Sequence, residues 1–428
     1  MTRLWCELAW LGGESAEAGV LVEIEGGHIA AVTQGVQALD DADRLSGLTL
    51  PGLANAHSHA FQRALRGRTH AGTGSFWTWR EQMYELAGSL DPDTCFALSR
   101  AAFGEMALAG ITCVGEFHYL HHAPDGTPYD DPNAMGRAVL AAAQAAGLRI
   151  TLLDACYLHG GIARFRDADA GAWAERVDAI GERPSARIGA AIHSVRAVDP
   201  DAARILAGWA GERPLHAHVS EQPKENEECV ATHGRTPSAL LSDAGALSEH
   251  FTAVHATHLT DDDVALLGGA GVTACLCPTT ERDLADGIGP ARRLVEAGAS
   301  LATGSDSQAV VDPFEEARAI ELDERLASGV RGVHRAPELL RAATVGGYGA
   351  LGWPDGGRLE PGALADLTTI SLDSVRLAGT APEHATAAAV FAATAADVHH
   401  VMVGGHWIVR DGEHTAFDVA AALREGLR

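Results

Sequence analysis

The chain has 428 residues, 46% of them hydrophobic, and a formal charge of −25 at pH 7. That length supports one large domain and a smaller one around a sizeable core, and the acidic balance excludes nucleic acid and anionic membrane, which both need a basic face. Lysine occurs once, as Lys224 in the run PKENEE, so there is no phosphate loop ending in G-K-[ST], and Schiff-base chemistry is left with one residue in a run expected to be solvated.

The first residues, MTRLWCELAW, hold neither a long apolar run nor a small-residue cleavage site, so no secretory leader is expected. No run of 18 apolar residues follows, so no spanning helix is expected. Seven scattered cysteines without framework spacing predict reduced thiols in a cytoplasm. Residues 1–47 contain short β-like pieces, LWCELAWL and GVLVEIEGGHIAAVTQG.

From residue 48 to 354 short apolar strands alternate with Ala- and Leu-rich amphipathic stretches. The strand candidates are LTLPGLANAH, ITCVGEFHY, LRITLLDACY, ARIGAAIHSV, PLHAHVSE, FTAVHATHL, VTACLCPTT and SLATGSDS, eight in all. Stretches such as NAMGRAVLAAAQAAG and DDDVALLGGAG end on glycine, a helix stop signal. Cys275 and Cys277 fall inside an apolar run and are expected in a buried strand rather than as a metal pair. Near-continuous apolar strands alternating with helices mean a parallel sheet, and eight units of this size predict a (β/α)8 barrel. An open doubly wound sheet is the rival, but polar residues end nearly every strand, which suits a ring with one functional face. Residues 355–428 return to hairpin-like patterning in DGGRLEPGALADLTTISL and VHHVMVGGHWIVRDGEH. The two ends, 1–47 and 355–428, are expected to meet in one small β-sandwich-like domain beside the barrel.

The strand ends carry the chemistry. His57 and His59 are two residues apart, so in an extended segment both imidazoles face one side and can reach one metal ion. The fifth strand offers His216, His218 and Glu221, the sixth His255 and His258, and the eighth Asp306. Imidazoles and a carboxylate at the C-terminal mouth of several barrel strands converge on one point, which predicts a metal site. Ordinary explanations stand beside each residue. One of His216 and His218 can be packed below the site, and His258 can be a loop histidine. His121 and His122 can be solvated, and Asp306 can be the turn former of G-S-D-S.

The pattern P-G-L-x-N-x-H-x-H, then H-x-x-E, a single histidine on the next arm and G-S-D near the barrel's end resembles the amidohydrolase superfamily. NAHSHAFQRALRG, SFWTWREQMY, GEFHYLHH, HSVRAV, HVSEQ, VHATH and DGIGPA are similar, more narrowly, to the formimidoylglutamate deiminases of histidine degradation. That resemblance implies metal binding by His57, His59, His218 and Asp306, with zinc as the metal. It implies Glu221, His255 and Asp306 as catalytic groups, and Gln62, Arg80, Tyr119, His193 and Arg196 as the lining of a pocket for a dicarboxylate. The reaction it implies is hydrolysis of a C=N bond by water activated at the metal, releasing ammonia. Many members hold two metals through a carboxylated lysine on the fourth strand. ARIGAAIHSV has no lysine, so one metal per chain is expected. A homodimer is also expected. Two departures stand out. CPTTERDLADG lacks the Asn that many related deaminases carry after C-P, and Gln308 stands where histidine is expected; both are expected to bear on the pocket rim. Two other readings remain: an aminohydrolase for a nucleobase or related amidine, stacking its substrate on SFWTW, and a non-enzymatic metal-storing barrel, in which Glu221 and His255 would have no role.

Overall fold

Aspartate, threonine and proline fix where the helices begin. In the computed structural model, which describes residues 1–427, Asp91, Asp199 and Asp312 each cap a helix opened by Pro92, Pro200 and Pro313. Thr236 does the same before Pro237. Each side-chain oxygen accepts from a first-turn N–H that has no partner within the helix, and proline loses nothing where its missing N–H would have been unpaired. The stretch ending in Gly147 forms the helix Ala134–Ala146, stopped by that glycine at φ 77°.

Four strands open the chain: β1 (Thr2–Ala9), β2 (Glu17–Glu25), β3 (His28–Thr33) and β4 (Asp43–Pro51). Eight more form the barrel: β5 (Leu53–Ser58), β6 (Ile111–His118), β7 (Arg149–Cys156), β8 (Ala186–Ile192), β9 (Leu215–Val219), β10 (Phe251–His255), β11 (Thr273–Leu276) and β12 (Ser300–Thr303). The last four are β13 (Leu367–Ile370), β14 (Val398–Val403), β15 (His406–Arg410) and β16 (Glu413–His414). Strands β5 to β12 pair in sequence order, all parallel, and a bridge between Ser58 and Asp306 joins the two edges. Every residue of β6 and β7 is buried, as a sheet covered on both faces requires. The ends of the chain build a second, mixed sheet in the order β16-β15-β14-β13-β4-β1-β2-β3, antiparallel except for β1 against β4. Leu4, Cys6, Val20, Val22, Leu367 and Met402 give it a core of its own. Helices Ala385–Phe391 and Val419–Gly426 also lie in the C-terminal part, and Phe417 and Val419 pack against Gly104 of a barrel helix.

The segment 48–57, expected as one barrel strand, is divided between the two sheets. Residues up to Pro51 pair with β13, and residues from Leu53 pair with β6. Gly52 is the crossing point, where a Cβ would collide with the Thr112 side chain. Asp366 ties the sheets together beside it. It accepts from Arg149 Nε at 2.6 Å, Tyr348 Oη at 2.8 Å and the Gly404 amide at 2.6 Å. All seven cysteines are buried and unpaired. No helix among the described residues is long and apolar enough to cross a membrane.

Candidate metal centre and active site

The barrel mouth collects the residues that the strand ends offered. His57, His59, His218 and Asp306 are buried, and one ligand atom from each lies within 4.8 Å of the others. Asp306 Oδ1 is 3.3 Å from His57 Nε2 and 3.4 Å from His59 Nε2, and His218 Nε2 is 3.1 Å from His57 Nε2. The far side of two rings is fixed by backbone: His59 Nδ1 donates to Phe117 O and His218 Nδ1 donates to His193 O, each at 2.8 Å. A nitrogen that donates to a carbonyl carries the proton, so Nε2 of both rings presents a lone pair to the centre. Burial lowers the pKa of His57 to about 3 and holds His218 well below the usual range. Burial alone would raise Asp306, but the His57 hydrogen bond and the neighbouring imidazoles hold it well below the ordinary carboxylate range. Three neutral imidazoles and one carboxylate, with room on the cavity side, form the donor set of a four-coordinate divalent metal. His216 sits one layer lower, with Nε2 donating to Ala350 O at 2.9 Å, and takes no part.

The backbone at the mouth is strained. Ser220, His255, Ala256, Asp306 and Gln308 all have positive φ, from 44° to 67°, without being glycine. Such residues cost about 1–3 kcal/mol each and persist where the surroundings over-determine them. Here Asp306 N donates to His57 O and His59 N donates to Asp306 O, both at 3.0 Å, locking the ligand loop onto the first barrel strand. Gln308 completes the lock. Its Nε2 donates to Ser58 Oγ at 3.0 Å, its Oε1 accepts from Ser305 Oγ at 2.9 Å, and Ser58 Oγ donates to Glu116 at 2.7 Å. Gln308 is fully buried behind the ligands, so the departure expected to affect the pocket rim instead supports the ligand loop.

Glu221 and His255 face the same point. His255 Nε2 lies 3.7 Å from both Glu221 Oε1 and Asp306 Oδ2, and it has no hydrogen-bond partner among the described residues. Burial raises the Glu221 pKa. Burial would lower His255, yet the carboxylates of Glu221, Glu281 and Asp306 raise it well above its usual value. Sequence reasoning missed Glu281. Its Oε1 accepts from His255 Nδ1 at 3.3 Å and from the Cys277 amide at 2.8 Å. The signal was available: CPTTERDLADG follows the seventh barrel strand, and Glu281 is its buried carboxylate nearest the strand end.

A cavity of about 240 Å³ opens above these groups, and Gln62, Arg80, Tyr119, His193 and Arg196 all line it. Gln62 Nε2 donates to Tyr119 Oη at 2.9 Å. Arg196 Nη2 is 3.3 Å from Glu221 Oε2. Arg80 is not in a loop but in the helix Phe76–Ser89, its guanidinium 4.5 Å from the centroid of Trp77 and its Nε without a partner among the described residues. His121 and His122 are not solvated. They are buried, donating to Ala155 O at 2.8 Å and Arg166 O at 3.0 Å. His258 donates to Asp286 O at 2.7 Å, outside the ligand set. Lys224 is exposed, as expected, and also lines the cavity.

The sequence profile of the amidohydrolase family matches residues 48–408. The chain is 36% identical to the formimidoylglutamate deiminase of Pseudomonas aeruginosa, with 98% of this chain and 97% of that protein covered. The solved structure of an amidohydrolase from Brucella melitensis superimposes with a TM-score of 0.91 at 33% identity, covering 100% of this chain and 99% of the other. An adenosine deaminase from Xanthomonas campestris with bound zinc gives a TM-score of 0.88 at 25% identity, covering 99% and 96%.

Proposed function

The chain belongs to the amidohydrolase family, and we propose that within it the protein hydrolyses N-formimidoyl-L-glutamate to N-formyl-L-glutamate and ammonia, a step of histidine degradation. One observation carries the choice of substrate. A protein of charge −25 places two arginines, Arg80 and Arg196, in the same cavity as its buried histidines and acids. Guanidinium groups grip carboxylates through paired hydrogen bonds, and a dicarboxylate needs that local charge to approach an acidic protein. The relative in Pseudomonas aeruginosa supports the same substrate.

His57, His59, His218 and Asp306 would hold one divalent metal per chain, zinc by its donor set. Zinc supplies Lewis acidity there, which makes water a competent nucleophile near neutral pH. The chain's own groups do the rest. Asp306 Oδ2, turned away from His57 and towards His255, is placed to take a proton from the attacking water. Glu221, whose pKa burial raises, gives a proton to the imine nitrogen as water adds across the C=N bond. The proton taken by Asp306 then passes to that nitrogen as the C–N bond breaks, the new hydroxyl returns its proton to Glu221, and ammonia leaves. His255 orients the incoming water from between the two carboxylates. Arg80 and Arg196 take the glutamyl carboxylates, with Gln62, Tyr119 and His193 shaping the wall.

A second reading has its own observation: Phe76, Trp77 and Trp79 line the same cavity and could stack a planar base. Ammonia release from the zinc-loaded enzyme on formimidoylglutamate, formimidoylaspartate, guanine, cytosine and adenosine separates the two. Turnover confined to a base, with none on either formimidoyl dicarboxylate, would overturn the proposal.

A further inference from the structure

The only lysine in 428 residues lines the substrate cavity. It is one of 32 basic side chains, so the single place where this chain carries an ammonium on a flexible stem is beside its buried acids and imidazoles. Lys224 Nζ lies 4.7 Å from the centroid of Trp77, the same indole that carries the Arg80 guanidinium at 4.5 Å. Two cations therefore share one aromatic ring, and Arg196 lines the same cavity. The ion partner of Lys224 is Glu228, one helical turn on, at 3.6 Å, with both side chains more than half exposed. Such a pair is weakly held, so the ammonium is tethered only by it and by the Trp77 face.

We infer that Lys224 is a specificity residue of the cavity mouth, an ammonium that captures a carboxylate of an incoming anionic substrate and passes it inward to Arg80. The inference deepens the reading of the cavity as a dicarboxylate site and relies on it only for the substrate's charge. Arg80 lies over both Trp77 and Tyr84 and Arg196 is engaged with Glu221, so both are held more firmly than the exposed Lys224 ammonium. A compact point charge with free rotation suits capture, whereas a planar fork suits the final grip. In an acidic protein the approaching dianion meets a repulsive field, and a cation at the rim creates the local attraction that starts binding.

The chain's composition makes the test selective, because acetylation by an amine-directed ester can reach only Lys224 and the N-terminal amine. On the metal-loaded enzyme, glutarate should slow acetylation of Lys224 by about fivefold or more at saturation, while the N-terminal rate and the effect of uncharged glutaramide stay flat. Lys224→Met should raise KM for formimidoylglutamate about 5–10-fold at low ionic strength and flatten its salt dependence, and Lys224→Arg should restore most of the loss. Acetylation of Lys224 at one rate with and without glutarate, or a Lys224→Met enzyme with unchanged KM and salt dependence, would overturn the inference. If formimidoylglutamate yields no ammonia, the substrate assignment fails, while glutarate protection still decides the role of Lys224.

Discussion

Glu281→Gln tests whether the carboxylate behind His255 matters to the chemistry. The substitution keeps the shape and keeps an oxygen that can accept from His255 Nδ1 and from the Cys277 amide, so it removes charge alone. At the 3.3 Å separation seen here, a full charge pair is worth about 5 kcal/mol gross at an effective dielectric near 20. Hydrogen bonds to charged groups retain only about 1.5–3 kcal/mol net, and the amide keeps part of that. The expected cost in transition-state stabilisation is therefore about 1.5–2 kcal/mol, a fall in kcat/KM of roughly 10–30-fold. Ammonia release, measured alongside metal content by elemental analysis and melting temperature, separates this from damage to the centre. Glu281→Ala is the contrast: it also strips the acceptor from the Cys277 N–H, 2.8 Å away. It should lose stability as well as turnover, since an orphaned buried donor costs about 1–3 kcal/mol. A Glu281→Gln enzyme with full metal content and kcat/KM within about twofold of the parent would refute the reasoning, because His255 would then not depend on that charge.

Elemental analysis should give about one divalent metal per chain, and chelation should abolish ammonia release until zinc is returned. Two metals per chain, both required, would refute the single centre. Glu221→Gln should keep the metal and lose about a hundredfold or more in turnover, and near-normal turnover with metal retained would remove Glu221 from the mechanism. Arg149→Met should cost about 3–5 kcal/mol in denaturant unfolding, because it leaves the fully buried Asp366 carboxylate without its cation. A loss under about 1 kcal/mol would show that the Tyr348 hydroxyl and the Gly404 amide suffice to hold that charge.

The sequence by itself determined what depends on local periodicity. Residues two apart in a strand face one side, so H-x-H offered both imidazoles of His57 and His59 to one ion. Apolar strands alternating with capped helices specified the barrel, because such strands must be covered on both faces. Tertiary structure decided what depends on closing that barrel. His216 and His218 have the same periodicity, and only the position of Ala350 beneath the strand shows which is packed below. Segment 48–57 reads as one strand, but its path between Thr112 and Asp366 divides it between two sheets. Gln308 reaches Ser58 across 250 positions of chain, and Glu281 reaches His255 across 26, so neither role has a local signature. Lys224 reads as a solvated residue and is exposed, but the Trp77 ring it overlies belongs to the distant helix Phe76–Ser89, so its place at the cavity has no local signature. A periodic pattern fixes the direction of a side chain relative to its own element; what that side chain meets is set by ring closure, which brings distant connections to one mouth.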